Sequence, residues 1–271
     1  MKNIFLATFI GILLVSCQDV IDVDLNDAEP RLVIDASIDW LKGTTGNSQM
    51  VKLSLTAPYF DDRVPPATGA NVSISDASGN TFLFLEEGNT GIYNNETFIP
   101  AIGETYNLNI VYNDEIYIAN ETMIPVVPID FIDQTNDGGF SGEEIELKAF
   151  YTDPANEKNF YLFEFLVTDR NSSTIEVYDD EFTDGNQIFA FYSEDELQSG
   201  EQLTIKNSGI SERTYEFLNI LVQQTDDDSG DPFETQPATV RGNCINQTNP
   251  DNYPLGYFRV SETDVFNYLV E

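Results

Sequence analysis

Histidine is absent from the 271-residue sequence, and only two cysteines are present. Without histidine the chain has no Ser-His-Asp or Cys-His nucleophilic machinery and no histidine-based zinc or iron site. The spacing Ser-x-x-Lys, the nucleophile elbow Gly-x-Ser-x-Gly and the glycine loops that cradle phosphate are also missing from the sequence. These absences exclude many hydrolase classes.

Basic residues are scarce. The sequence holds 12 Lys and Arg against 47 Asp and Glu. Residues 1–16 carry one charge, that of Lys2, so a mature chain that begins at residue 17 has 11 basic groups and a formal charge of −36. Phosphate binding relies on clustered Lys and Arg, so this balance argues against nucleic acid or an anionic membrane surface as a partner. It fits solubility, cation binding or a basic partner.

Long apolar runs are also missing, apart from Ile4–Leu13, which follows Lys2. A charged start and a short apolar core are typical of a secretory signal, and the run is too short to span a bilayer. The next four residues, Leu14-Val15-Ser16-Cys17, resemble the bacterial lipobox. We therefore expect residues 1–16 to be removed and Cys17 to carry the lipid anchor. The alternatives are an ordinary secretory signal with an incidental cysteine, and a core segment of an intracellular protein.

Residues 17–30 form an acidic segment after this cysteine. Four of the ten residues from Gln18 to Asp27 are aspartates. An acidic patch at this position resembles the surface-export signal of lipoproteins in the Bacteroidota, which implies an outer-membrane lipoprotein exposed on the cell surface. The alternative is a solvated acidic tether.

Cys244 is the only cysteine left once Cys17 is lipidated, so an intrachain disulfide is excluded. Stability must then come from hydrophobic cores. About 255 mature residues with 41% hydrophobic content suffice for two domains of ordinary size.

The first domain is predicted over residues 31–124. Apolar residues alternate with polar ones in Leu32–Ile38 and again in Val51–Leu55, which indicates half-buried strands. Two probable hairpins turn at Ala77–Asn80 and at Asn113-Asp114. Short strands with regular turn signals predict a β-sandwich of the immunoglobulin or fibronectin type III kind.

The two prolines of residues 125–128 predict an extended link. Residues 129–271 are predicted to form a second β-rich domain, with a dense apolar strand at Phe160–Val167. One segment, residues 212–224, has apolar side chains at helical spacing, and Ser211 is its expected N-cap. We therefore predict a mainly β protein made of two tandem sandwich-like domains, the second with one short packing helix.

Carboxylates are too numerous to identify a catalytic pair, although a carboxylate-based hydrolase needs only two. Asp228-Ser229-Gly230 matches the aspartic protease triplet but has no second copy. Looser acidic loops can hold calcium, and the candidate ligands are Asp226, Asp228 and Asp231. The alternative is a solvated acidic turn, with no cofactor other than the N-terminal lipid.

Aromatic side chains in turn-rich stretches are candidates for contact with a partner or ligand. Core packing is the alternative for each of them. The candidates are Trp40, Tyr59, Phe60, Tyr253 and Tyr257.

Several short segments, taken together with the lipobox, resemble a Bacteroidota lipoprotein family catalogued as domain of unknown function 4249. They include Glu29–Ile34, Asn71–Asp76, Phe98-Ile99-Pro100 with Gly103–Tyr106, Val240–Asn243 and Pro254–Phe258. The resemblance covers essentially the whole mature chain. It implies association with a TonB-dependent outer-membrane transporter and supplies no catalytic residues.

The sequence thus predicts a non-enzymatic accessory or ligand-capture subunit of a TonB-dependent barrel, held on the membrane through Cys17. The ligand is not predicted. A structural or adhesive surface lipoprotein is the first alternative, and a carboxylate-based hydrolase is the second.

Overall fold

The computed structural model describes residues 29–58, 61, 63–138, 142, 144–168, 170, 173–194, 196–225 and 240–271. Within these residues the chain forms fifteen strands and one helix, which confirms the mainly β prediction. The strands are β1 (Leu32–Leu41), β2 (Gln49–Leu55), β3 (Asn71–Ser75), β4 (Thr81–Glu86), β5 (Ile92–Asn95), β6 (Thr105–Tyr112), β7 (Glu115–Thr122), β8 (Ile129–Gly138), β9 (Glu144–Thr152), β10 (Phe160–Val167), β11 (Ser173–Asp179), β12 (Gln187–Ser193), β13 (Gln202–Gly209), β14 (Ile245–Asn246) and β15 (Leu255–Leu269). The helix, α1 (Glu212–Thr225), lies between β13 and β14.

The first core is built from strands whose side chains alternate between buried and exposed. Leu32, Ile34 and Ile38 of β1 are buried while Asp35 and Ser37 are exposed, as the sequence predicts. Strands β1 to β7 enclose this core, and the rings of Phe82, Phe98 and Tyr106 pack inside it with successive centroids 4.9 Å apart. Burial of this apolar surface is the main stabilising contribution.

Both predicted hairpins are present. Asn113 and Asp114 join β6 to β7 with φ angles of 49° and 61°, the left-handed region that a two-residue type I′ turn requires at both positions. Gly79 has a φ of 87° in the turn between β3 and β4.

The second core lies between two sheets. One is the three-stranded sheet β12-β9-β8, and the other is the part of the large sheet formed by β11, β10, β13 and the second half of β15. Aromatic rings fill this core: the centroid of Tyr151 lies 4.8 Å from that of Tyr161 and 5.2 Å from that of Phe163.

Strand β15 is shared by the two cores. Its first half pairs in parallel with β1, from Val33 opposite Leu255 to Leu41 opposite Thr263. Its second half pairs antiparallel with β13, ending with Gln202 opposite Leu269. A single twelve-stranded sheet therefore runs through both units.

This arrangement differs from the prediction that all of residues 129–271 belong to the second domain. Cys244, Phe258 and Val260 are buried in the first core. The sequence Leu255–Ser261 predicts a strand, but it does not say which strands lie beside it. The remaining domain boundaries stay a prediction.

The predicted link, residues 125–128, packs against β15. Val126 is buried within the second core, and its N–H donates to Glu262 at 2.9 Å. The carbonyl oxygen of Pro125 lies 2.0 Å from the position that a Cβ on Gly209 would take, so only glycine fits there. The link is therefore packed against β13 and β15.

A buried arginine also joins the two units. The guanidinium of Arg259, on β15, lies 2.6 Å from the carboxylate of Asp39 on β1 and 3.9 Å from that of Glu164 on β10. Burial alone lowers the pKa of Arg259, but the two carboxylates more than offset this effect, and the pKa is raised. The guanidinium thus stays charged in the interior.

Helix α1 begins and packs as the sequence predicts. The N–H of Thr214 donates to Ser211 Oγ at 3.2 Å, and the N–H of Tyr215 donates to the Ser211 carbonyl at 2.9 Å, so Ser211 is the N-cap. Tyr215 and Leu218 pack against Phe160 and other apolar residues of β10 and β11. In the part of the chain that the structure describes, no helix has the length and hydropathy needed to cross a membrane.

Candidate functional site

Several residues predicted to carry function lie outside the described residues. They are Cys17, Tyr59, Phe60, Asp226, Asp228 and Asp231. Lipidation at Cys17, the aromatic contact at positions 59 and 60 and the calcium site in the acidic loop therefore stay predictions.

Trp40 lies half-buried near the end of β1 and packs against the first core. Its indole N–H donates to the carbonyl of Thr44 at 3.0 Å. A Cβ on Gly46 would lie 2.6 Å from the indole ring, so the ring closely covers this turn. These contacts give Trp40 a structural role, and its contact with a partner stays a prediction.

Tyr257 links the helix to the first unit. Its ring packs on Phe217 of α1 with centroids 4.6 Å apart, and its hydroxyl accepts from Thr214 at 3.3 Å. The adjacent ion pair between Arg213 and the buried Glu121, 3.1 Å apart, strengthens the same junction. Tyr257 is therefore a packing residue here, whatever further contact it makes.

Tyr253 lies at the point where the acidic segment joins the body. The guanidinium of Arg31 lies 3.9 Å from the centroid of its ring, and that of Arg241 lies 3.8 Å away. Arg31 also donates to the carbonyls of Asp251 and Tyr253, at 3.1 and 3.2 Å. Since both cations interact with the ring, this stack anchors the start of β1 to the loop before β15.

The three-stranded sheet carries a row of phenylalanines on its outer face, which we call the aromatic ladder: Phe131, Phe150, Phe189 and Phe191. Phe131 of β8 stacks on Phe150 of β9 with centroids 4.6 Å apart, and Phe150 contacts Phe189 of β12 at 5.3 Å. Phe131, Phe189 and Phe191 are 45%, 41% and 38% exposed. The ladder therefore presents three exposed rings to solvent, of which Phe131 and Phe189 both contact Phe150.

The same strands are apolar on their inner face as well. Leu147, Ala149, Tyr151, Ala190 and Tyr192 point into the second core and are almost fully buried. A sheet with one face on a core normally exposes polar residues on the other face, so an outer face with clustered phenylalanines is a candidate interaction surface. Lys148 lies above Phe189, with its Nζ 5.3 Å from the ring centroid, and adds a positive charge at the strip.

Sequence reasoning missed the ladder. None of its four phenylalanines is among the contact candidates that the sequence predicts. The available signal is the presence of large apolar side chains at both odd and even positions in Ala149-Phe150-Tyr151 and in Phe189-Ala190-Phe191-Tyr192. Such a pattern indicates either two buried faces or one exposed aromatic face, and only the fold decides between them.

Cys244 is buried in the first core, and burial raises the pKa of its thiol to about 12. Because the thiolate is the reactive form, we expect no alkylation of Cys244 by iodoacetamide at pH 8 in the native protein and complete alkylation after unfolding. The thiol pKa is higher in the folded state than in the unfolded state, so the neutral thiol of Cys244 stabilises the fold. This stabilisation is fully present below about pH 9 and is lost as the pH rises from about 9 to 12. Rapid labelling of the native protein would contradict the assigned burial.

The comparisons with known proteins identify a family. The family model described as "Domain of unknown function (DUF4249)" matches residues 18–266. The chain belongs to this family. The match confirms the resemblance of the sequence to this family. The matched residues include strands of both cores of the DUF4249 fold. Comparison with curated proteins found no match.

Solved structures resemble this DUF4249 chain only distantly. A two-domain fibronectin type III segment from chicken tenascin is 12% identical over 67% of this chain and 91% of that one, with a TM-score of 0.22. A DUF4785 family protein from Legionella pneumophila is 9% identical over 66% of this chain and 52% of that one, with a TM-score of 0.27. These scores are too low to add to the fold described above.

Proposed function

We propose that this DUF4249 protein is a non-enzymatic lipoprotein, anchored by Cys17 in the outer membrane and exposed at the cell surface. It acts as an accessory or ligand-capture subunit of a TonB-dependent transporter. The anchor rests on the sequence Leu14-Val15-Ser16-Cys17, and the partner class rests on the resemblance to the family. The aromatic ladder is the observation that carries the contact role.

The shared strand β15 supports this role because it separates the anchor from the ladder. The acidic segment enters the body at Arg31, next to β1, whose start lies beside Leu255. Strand β15 then runs to Leu269 in the second core, and its 15 residues span about 46 Å at 3.3 Å per residue. The second core is thus held away from the attachment point by continuous sheet.

The chemistry of the ladder fits a protein partner. Aromatic residues are enriched in the buried centres of interfaces, where they supply large contact areas. The chain as a whole carries a strong negative charge, and this charge favours a partner whose contact surface is basic or polar. We therefore assign the ladder as the surface that contacts the transporter.

Purification from native membranes in mild detergent tests this proposal. The wild-type protein is expected to bring an outer-membrane barrel with it. A double variant, Phe131→Ser with Phe189→Ser, is expected to lower the recovered barrel at least about tenfold, because truncating a hot-spot residue of an interface costs about 2 kcal/mol or more and each 1.4 kcal/mol is tenfold in affinity. The readout is the ratio of barrel to bait by quantitative mass spectrometry.

The control is a second exposed apolar pair in the first unit. Leu83 and Leu85 on β4 are 63% and 73% exposed, and the variant Leu83→Ser with Leu85→Ser is expected to leave the barrel ratio unchanged. Equal loss in both variants, or no loss in the ladder variant, would remove the ladder from the interface. Recovery of the wild-type chain alone would favour the adhesive alternative.

A further inference from the structure

The loop between β11 and β12 exposes a phenylalanine almost completely. Phe182 is 90% exposed, the largest fraction among the large apolar side chains that the structure describes. A single exposed apolar residue is common on protein surfaces, so its surroundings decide what it means.

The loop that carries this ring is ordered by hydrogen bonds and by packing. The N–H groups of Thr183 and Asp184 both donate to the carbonyl of Asp180, at 2.9 and 3.0 Å. The loop also packs on the one that follows β9, because a Cβ on Gly185 would lie 2.8 Å from that of Ala155. The exposed ring is thus presented by an ordered turn, which lowers the entropy cost of a contact made through it.

An open cleft of about 610 Å³ lies between this loop, helix α1 and the loop that follows β9. Seven of its eleven lining residues are acidic and one, Lys158, is basic. Among the described residues, a Lys or Arg lies within salt-bridge distance of only one of the seven, Glu212. Glu181 and Asp184 line the cleft and flank Phe182 in the chain, so the ring and the cleft belong to one surface, which we call the loop–helix surface.

Two aromatic rings line the cleft, and a cation of the chain itself lies on one of them. The ring centroids of Phe160 and Tyr215 are 5.0 Å apart. The Nζ of Lys158 lies 5.0 Å from the centroid of Phe160 and 2.5 Å from a carboxylate oxygen of Glu212. The side chains of Lys158 and Glu212 are 61% and 57% exposed, so solvent screens their attraction and another cation can displace the ammonium. The contacts of Lys158 thus show what the cleft accepts, which is a cation held between a ring face and a carboxylate.

We propose that the loop–helix surface binds a basic, partly apolar segment of another protein. An arginine or lysine of that segment replaces Lys158 on the ring of Phe160 and pairs with the carboxylates around it, while an apolar side chain of the segment covers Phe182. Arginine suits the cleft best, because its planar guanidinium stacks on an aromatic ring and pairs with a carboxylate at the same time. A small cation would fill the cleft without covering Phe182, and the acidic lining disfavours nucleic acid and anionic lipid.

This surface is distinct from the aromatic ladder, and its role does not depend on the proposed function. Peptide binding is measured by fluorescence anisotropy on the purified native protein in detergent, at an ionic strength of about 0.15 M. The probe is a fluorescein-labelled peptide of alternating arginine and leucine. The wild type is expected to bind this probe and not the matched peptide of alternating glutamate and leucine.

Phe182→Ser tests the exposed ring. It is expected to raise the Kd for the arginine–leucine peptide at least about tenfold, as truncation of an interface hot spot does. The Tm is expected to stay unchanged, because the side chain is 90% exposed. Val64→Ser, at a 65% exposed position in the first unit, is the matched control and is expected to leave the Kd unchanged.

Charge variants test the cleft. Glu157→Gln with Glu216→Gln removes two exposed carboxylates that line it and is expected to raise the Kd about fivefold. Glu87→Gln with Glu96→Gln makes the same change of net charge in the first unit and is expected to change the Kd less than about twofold.

Lys158→Gln tests the displacement of the chain's own cation. It leaves the ring of Phe160 and the carboxylate of Glu212 to the peptide, so it is expected to lower the Kd about threefold. Lys52→Gln, at an exposed position in the first unit, makes the same change of net charge and is expected to have little effect.

Three results would overturn the proposal. One is no binding of the arginine–leucine peptide by the wild type, and another is an equal effect in the cleft variants and their controls in the first unit. The third is that Phe182→Ser leaves peptide binding unchanged but abolishes either binding to phosphatidylcholine vesicles or self-association. That result would assign the exposed ring to a membrane or to a second copy of the chain.

Discussion

Replacing Arg259 with alanine is expected to lower the free energy of unfolding by about 3 kcal/mol, which is the low end of the cost of removing one partner from a buried ion pair. The Arg259 side chain is 8% exposed, and its loss leaves Asp39 and Glu164 without their shared cation. Those carboxylates are 23% and 19% exposed, so water offsets part of the cost. Urea unfolding measures the change.

Two further variants separate charge from packing. Arg63 is exposed, and Arg63→Ala is expected to change the free energy of unfolding by less than about 0.5 kcal/mol. Arg259→Met keeps the apolar stem of the side chain but removes its charge, so the single variant should still lower the free energy of unfolding. The triple variant that adds Asp39→Asn and Glu164→Gln should recover much of that loss. A loss below about 1 kcal/mol in Arg259→Ala would show that the two units do not depend on this arginine.

Replacing Cys17 with alanine is expected to move the protein from the membrane fraction to the soluble fraction almost completely. Acyl chains contribute about 0.8 kcal/mol per buried methylene, and stable anchoring needs two membrane signals, which a lipidated cysteine provides. The strongly acidic body supplies no attraction to anionic lipid. Carbonate-washed membranes analysed by immunoblot give the distribution.

Cys244→Ala is the matched control for that experiment. It removes the other cysteine, which is buried in the first core, and it is expected to leave the protein in the membrane fraction. Retention of Cys17→Ala in washed membranes would contradict a lipid anchor and would require another membrane contact.

Much of the architecture was predictable because it depends on local patterns. The alternation in β1, the Asn113-Asp114 turn and the cap at Ser211 each express a short-range rule, and the structure confirms all three. The shared strand β15 was not predictable. Its pairing with Val33 joins residues more than two hundred positions apart, and no local pattern encodes the choice of neighbour.

The candidate contact surfaces likewise depend on the fold and not on local sequence patterns. The positions of Trp40 and Tyr257 beside turns predict contact with a partner, but the fold gives both side chains internal contacts. The aromatic ladder arises only when β8, β9 and β12 come into register. Carboxylate oxygens of Asp153, Asp180 and Asp184 likewise lie within 4.8 Å of one another only because the loops that follow β9 and β11 meet.

Site-specific photo-crosslinking in native cells tests the central claim most directly. A photoreactive amino acid at position 189, in the ladder, is expected to give a cross-link to an outer-membrane barrel. The same group at the exposed position 63 is expected to give none. Cross-linking of the barrel from position 63 but not from position 189, or of no barrel from either, would contradict an accessory subunit that contacts its transporter through the ladder.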